Sequence, residues 1–225
     1  CLSSDALADG WRQVTFEDGV RVSRKAVSGR ALPVFRGVTT YNHSVLDIVT
    51  VLDDVRSHPE WLHRCVEAKV LEKVPGSSRV IYIRTDIPWP ANDRDVVVKA
   101  EATIDPETKT VELSFRAVSG VLPKKAGVVR IDRLLGLYRL EPLGEDKTRV
   151  TYQIDTDPGG WLPEWVIKKA SRQLPLDTLG NLRKRLKAVG GQARRADLKA
   201  RWLTRLSQNT SAFLNVDPTL STLGL

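Results

Sequence analysis

The side chains best suited to move protons or hold metals are few in this chain, and they are grouped early. His43 precedes the first helical pattern, His58 sits beside Pro59, and His63 follows Trp61. General acid or base work requires a His, Glu or Asp inside a cavity that tunes its pKa. None of the three histidines falls on a stretch expected to line one, so each reads as a surface or cap residue. Cys1 and Cys65 are too few for a disulfide framework or a paired-thiolate metal or redox site, and leave room for one disulfide at most. No Gly-x-Ser-x-Gly, Gly-x-Gly-x-x-Gly, phosphate-binding loop or His-Glu-x-x-His spacing occurs. The residues therefore predict no catalytic group, no metal and no cofactor.

The chemistry the residues do offer is electrostatic. From Val166 to Leu206 twelve basic residues face only Asp177 and Asp197, a net of +10, which leaves the rest of the 225-residue chain near −2 of its total +8. Anionic lipid or nucleic acid would answer such a segment. Base stacking needs aromatics among the cations, and this segment offers Trp202 alone, so no nucleic-acid partner is expected. Leu198, Trp202, Leu203 and Leu206 share a helical arc flanked by arginines, as in helices that lie in a membrane interface. The expected docking set for an anionic membrane is Lys168, Lys169, Arg172, Arg194, Arg195, Lys199, Arg201 and Trp202, with binding that is reversible.

A chain of 25.1 kDa can bury a core unaided, and no apolar run approaches the roughly 18 residues of a membrane span. The chain opens on Cys1 and contains no methionine. That pattern predicts a removed secretory signal and a place in the periplasm or cell envelope, and leaves Cys1 open to lipid modification. The alternative is a cytoplasmic protein whose N-terminal part lies outside this sequence. Nothing in the chain specifies an oligomeric state.

Local patterns supply the elements. Gly19–Arg24 and Ala31–Arg36 alternate as strands around a Ser28-Gly29 turn, and Val45, Ile48, Val49 and Leu52 then recur at helical spacing behind a Ser44 cap. Period two returns over Ala68–Val74, Arg79–Thr85, Asp95–Ile104, Thr110–Val118 and Gly127–Arg133, then over Leu137–Leu140 and Arg149–Ile154. Short strands in succession, with tight turns and no alternation with helices, predict an antiparallel sheet. Leu176, Leu179, Leu182, Leu186 and Val189 form a stripe on a final helix, bent where Pro175 interrupts the ladder and ended by Gly190-Gly191. The expected fold is α+β, a curved antiparallel sheet around a long, kinked C-terminal helix.

Two motifs narrow this further. Ile87-Pro88-Trp89-Pro90-Ala91-Asn92-Asp93-Arg94-Asp95 and, about sixty residues on, Tyr152-Gln153-Ile154-Asp155-Thr156-Asp157-Pro158-Gly159-Gly160-Trp161-Leu162-Pro163-Glu164-Trp165 occur in order within this pattern. Together with Pro33-Val34-Phe35-Arg36-Gly37 and Trp61 they resemble the START (steroidogenic acute regulatory protein-related lipid transfer) domain, of bacterial type, over roughly Trp11 to Val189. Residues 1–10 then form a tail, 11–190 the lipid-binding domain and 191–225 a basic extension, partly helical. The resemblance implies a helix-grip fold with a tunnel between sheet and C-terminal helix, one lipid inside it, and no catalytic residue. The alternative on the same fold is a cyclase or aromatase-like enzyme acting on a hydrophobic substrate.

A lipid chain of about 18 carbons gains on the order of 14 kcal/mol on leaving water at roughly 0.8 kcal/mol per methylene, so its carrier needs a comparably dry wall. Strand parity puts Ile81, Ile83, Val98, Leu113, Phe115, Val150, Tyr152 and Ile154 on that wall, with Trp165, Leu179, Leu182 and Leu186 on the helix. Asp93-Arg94-Asp95 is expected to fix a turn through charge-assisted hydrogen bonds, and Asp157-Pro158-Gly159-Gly160 to turn the last strand into the helix. Sterol-binding members can carry an arginine in the strand after Arg-Asp. This chain reads Val96-Val97-Val98-Lys99-Ala100 there, so no sterol anchor carries over.

Overall fold

The structure, a computed structural model, describes residues 10–30, 32–73 and 78–189, without the side chains of residues 73 and 168–172. Ten strands are followed by one long helix. β1 (Trp11–Glu17), β2 (Val20–Lys25) and β3 (Val34–Tyr41) lead to α1 (Val45–Asp53), a 3₁₀ turn (Val55–Ser57) and the short α2 (His58–Trp61). Then come β4 (Cys65–Lys73), β5 (Arg79–Thr85), β6 (Asp93–Ile104), β7 (Val111–Ala117), β8 (Val128–Arg130), β9 (Arg133–Gly144), β10 (Lys147–Asp157) and α3 (Glu164–Ala188). The sheet order is β1-β2-β3-β10-β9-β7-β6-β5-β4, antiparallel throughout, with β8 added parallel to the start of β6.

Local chemistry explains the boundaries. Ser44 caps α1 by accepting from the Asp47 N–H at 3.2 Å, as its position predicts. Asp18 and Gly19, both at positive φ, close the β1–β2 hairpin with the backbone hand that suits twisted strands. The Gly127–Arg133 stretch does not form a strand of the antiparallel meander. Its centre pairs, in parallel, with Asp93–Asp95, and its last residue, Arg133, already opens β9. β9, in turn, is twelve residues long where the sequence suggests only Leu137–Leu140. Gly136 is a strand residue over which the Phe115 ring lies. A Cβ there would meet Phe115 Cε2 at 2.3 Å.

α3 runs from Glu164 to Ala188 as one helix, with Pro175 buried within it. It packs on β2 and β3 and against α1 and α2. Gly37 on β3 makes that approach close, since a Cβ there would lie 2.8 Å from Leu179 Cδ1 and 3.0 Å from Pro175 Cβ. The Tyr41 hydroxyl donates to the Leu179 carbonyl at 2.7 Å and fixes the register of helix on sheet.

Candidate functional site

The concave side of the sheet is not filled. A cavity of about 300 Å³ lies between β5, β6, β7, β9 and β10 on one side and α2 and the first half of α3 on the other. Its sheet wall follows strand parity. Ile81 and Ile83 face Val98 and Val96 across the β5–β6 ladder, and Ala100 and Ala102 continue the face. Leu113 and Phe115 extend it on β7, Leu134 and Tyr138 on β9, and Tyr152, Ile154 and Thr156 on β10. Tyr138 stacks on Tyr152 with centroids 4.7 Å apart, and burial holds both phenols well above their ordinary pKa, so the tyrosine part of this wall is uncharged.

Of the twelve wall residues expected from sequence, Ile81, Ile83, Val98, Leu113, Phe115, Tyr152 and Ile154 line the cavity. Five do not. Val150, Leu179, Leu182 and Leu186 are at most 2% exposed in the packed core, because the second half of α3 presses directly on β2 and β3 and leaves no gap there. Trp165 points outward and is 49% exposed, while its neighbours Val166 and Ile167 face the cavity.

The helix side holds what sequence reading missed. Leu52, Asp53, Val55, His58, Trp61, Leu62 and His63 all border the cavity. His58 and His63 are thus cavity residues rather than surface or cap residues. His58 is 8% exposed, with Nε2 3.0 Å from the Leu52 carbonyl, and burial lowers its pKa. The neutral ring then donates from Nε2. Trp61 meets it edge-on at 5.3 Å. His63 reaches Asp177 of α3 at 3.0 Å, and Glu60 pairs with Arg185 further along the same helix. These contacts join the α1–β4 connection to the cover. The adjacent apolar pair Trp61-Leu62 was the available signal. Val96, Ala100 and Ala102 share the parity of Val98 and were equally open to prediction.

Each member of the Asp-Arg-Asp motif has its own task. Asp93 accepts from Arg84 Nε at 2.9 Å and from the Ile87 N–H at 3.3 Å. Asp95 holds Arg130 through a buried two-point bridge of 2.6 and 3.0 Å. Arg94, 2% exposed, donates to the carbonyls of Asn92, Pro158, Gly159 and Trp161, and so stitches the Pro-Trp-Pro turn to the turn after β10. Gly159 and Gly160, at φ of 60° and 58°, form that second turn. Trp89, Trp161 and Trp165 project from these two joined turns and the start of α3, at 88%, 67% and 49% exposure.

Of the expected docking residues, Lys168, Lys169 and Arg172 lie on α3 with side chains that are not described, and Arg194, Arg195, Lys199, Arg201 and Trp202 lie outside the described residues. Cys1, the tail and the 191–225 extension are outside them too. Cys65 is a free, buried thiol whose pKa burial pushes up to about 11, which leaves it protonated. Among the described residues no group of His, Cys, Asp and Glu is arranged to hold a metal, and no helix is long and apolar enough to cross a membrane.

A ten-stranded sheet gripping one C-terminal helix over a hollow is the arrangement that the two motifs implied. The START domain family model matches residues 5–191. The chain belongs to the START family. An uncharacterized protein of Pseudomonas aeruginosa is 37% identical over 184 residues, covering 81% of this chain and 89% of that one. The steroidogenic acute regulatory protein of Xenopus laevis is 29% identical, and the match spans 79% of this chain and 64% of that protein. Among solved structures, the STAR-related lipid transfer protein of Xanthomonas axonopodis (fragment 25–204) superposes with a TM-score of 0.73 at 30% identity, over 80% of this chain and 99% of that one. Human StAR-related lipid transfer protein 5, at 21% identity and a TM-score of 0.72 over 82% of this chain and 90% of that one, shares the fold.

Proposed function

We propose that this START protein holds one lipid, or a molecule of like hydrophobicity, in the cavity beneath α3 and exchanges it with membranes without chemical change. The cavity itself carries the reading. Protein interiors pack to crystal density and keep few voids larger than a water molecule. At about 24 cal/mol per Å³, a void of about 300 Å³ left unfilled corresponds to several kcal/mol, a large share of a domain's net stability. A ligand covering those aliphatic walls recovers that energy. The resemblance of the chain to lipid-transfer proteins supports the same reading.

Extraction of gently purified protein into organic solvent, followed by mass spectrometry, is expected to show about one lipid per chain. Protein that carries none and takes up none from vesicles after delipidation would overturn the proposal.

The docking surface in this reading includes the rim where Trp89, Trp161 and Trp165 stand exposed, beside Lys168 and Lys169 at the start of α3. Indole rings favour the headgroup level of a bilayer, and each correctly placed cation adds about 1 kcal/mol on an anionic surface. Binding to phosphatidylglycerol-rich vesicles at low salt is expected, with most of it lost at high salt. A Trp89→Ala, Trp161→Ala double variant that binds as well as the parent would remove the rim from the docking surface and leave the basic residues of 194–202.

A further inference from the structure

The helix side of the cavity carries polar side chains that the protein leaves unsatisfied. His58, Trp61 and Thr178 all line it, at 8%, 3% and 1% exposure. His58 Nδ1, the Trp61 Nε1–H and the Thr178 hydroxyl are each buried with no hydrogen-bond partner among the described residues. A buried indole usually finds an acceptor for its N–H, and a threonine inside a helix commonly returns its hydroxyl to the carbonyl one turn back. Neither does so here. The fold gathers the three at one crossing. His58 and Trp61 open and close α2, and their rings meet edge-on with centroids 5.3 Å apart. α2 is tied to α3 on both sides of Trp61, through Glu60 to Arg185 and through His63 to Asp177, the residue before Thr178. The ionised groups that border the cavity are committed elsewhere: Asp53 and Arg79 to each other, Glu101 to Lys99 and Ser78, and Arg94 to four backbone carbonyls.

We infer that His58, Trp61 and Thr178 form a polar subsite under the α2–α3 crossing, and that it takes an uncharged lipid group that accepts and donates at once, of the carboxamide class. The inference rests on the proposal that the cavity holds a lipid. A buried donor or acceptor left unpaired carries its full desolvation cost, so a ligand that pairs it gains more than it would from a satisfied wall. His58 Nε2 donates to the Leu52 carbonyl, which leaves Nδ1 as an acceptor. Two donors, the Trp61 N–H and the Thr178 O–H, complete the set. The carbonyl oxygen of an amide has a lone pair for each donor, and the amide N–H serves Nδ1. An ester answers the donors and leaves Nδ1 bare. A carboxylate also brings no proton for Nδ1, and it enters where Asp53 and Asp54 act on the His58 ring and Asp177 adjoins Thr178.

The test displaces a fluorescent fatty-acyl probe from delipidated full-length protein with four ligands of one chain length: palmitamide, methyl palmitate, palmitate and hexadecane. Palmitamide is expected to bind about tenfold more tightly than methyl palmitate or palmitate at neutral pH, and more tightly still than hexadecane. Trp61→Phe and Thr178→Val each remove one donor, and each should cut the preference for palmitamide over hexadecane severalfold. Thr178→Val also separates a ligand site from a structural residue. It replaces an unpaired hydroxyl by a methyl of like shape, so the delipidated variant should unfold at a higher urea concentration than the parent while binding the amide less well. Palmitamide binding no more tightly than the ester or the acid, a preference unchanged in both variants, or a Thr178→Val protein less stable than the parent would overturn the inference while leaving lipid binding intact. Failure of the probe and of all four ligands to bind would instead overturn the cavity reading beneath it.

Discussion

The two halves of α3 carry the same kind of apolar stripe and do different work. Beyond Pro175, Leu179, Leu182 and Leu186 are 0–2% exposed and pressed on β2 and β3, with the bare backbone of Gly37 against Leu179 and the Tyr41 hydroxyl bound to its carbonyl. Before Pro175, Val166, Ile167 and Leu174 face a void. What differs is the opposing surface: a strand stripped of its side chain at Gly37 lets the helix close in, whereas the branched side chains of β5 and β6 stand across a gap. A hydrophobic stripe therefore reports that a face is covered. It does not report whether protein or ligand covers it.

The comparison breaks most visibly under truncation. Leu182→Ala in the packed half should cost about 2–5 kcal/mol, whereas Ile83→Ala in the hollow half should cost the delipidated protein on the order of 1 kcal/mol, since its methyls already border a void. Urea unfolding of both delipidated variants measures this. Equal losses would mean that the concave side is packed solid in solution.

Two glycine variants sharpen the contrast. Gly37→Ala forces a methyl against Leu179 and Pro175 and should cost about 1–3 kcal/mol by lifting the helix. Gly136→Ala collides with the Phe115 ring, which can turn into the cavity. Its expected signature is a lower lipid stoichiometry with the smaller loss of stability of the two. A Gly136→Ala protein with full lipid capacity would show that Phe115 does not bound the ligand.

Pro175 stands at the join of the two halves and lacks the N–H that would tie the helix across it. If the first half moves to admit lipid while the second stays docked, Pro175→Ala should restore that bond, raise stability by up to about 3 kcal/mol less the ring packing it loses, and slow uptake from vesicles severalfold. Stopped-flow transfer of a fluorescent lipid reads the rate. Unchanged kinetics would make Pro175 a packing residue only.

How much of this was legible follows from the same contrast. Parity puts Ile81, Ile83, Val98, Leu113, Phe115, Tyr152 and Ile154 on the face that borders the cavity, because a strand's two faces are fixed by its period and only the identity of the inner face must be guessed. The order of Asp-Arg-Asp and Asp-Pro-Gly-Gly showed the fold. It did not show that Arg94 joins the two turns, since a contact across 65 residues leaves no local pattern. The leucine stripe misled at Leu179, Leu182 and Leu186 because helical periodicity carries no information about the distance to the opposing sheet. Asp53 ends α1, and the connection from there to β4 reads from sequence as caps, so Asp53, His58 and His63 were missed. Their polarity argued for solvent, and only the tertiary fold turns them inward.

His58 gives the smallest effect and the one with a definite sign. Its ring lies buried beside the cavity with Nε2 donating to the Leu52 carbonyl at 3.0 Å, and burial lowers its pKa below the ordinary 6.5, an effect that this hydrogen bond, Asp54 and Asp53 only partly oppose. The folded protein therefore binds this proton less readily than the unfolded chain does. The stability that His58 contributes is fully present above about pH 6.5 and is lost as pH falls from there towards the depressed folded value, with a slope of at most about 1.4 kcal/mol per pH unit. His58→Gln keeps an N–H able to reach the Leu52 carbonyl but has no proton to take up. The gap in unfolding free energy between parent and variant, followed from pH 8 to about pH 5.5, should narrow or reverse in favour of the variant as the solution acidifies. Every other ionisable group is common to the two proteins, so the difference isolates position 58. A gap that stays constant across this range would mean that the ring reaches water, and that the α2 side of the cavity is wet where the sheet side is dry.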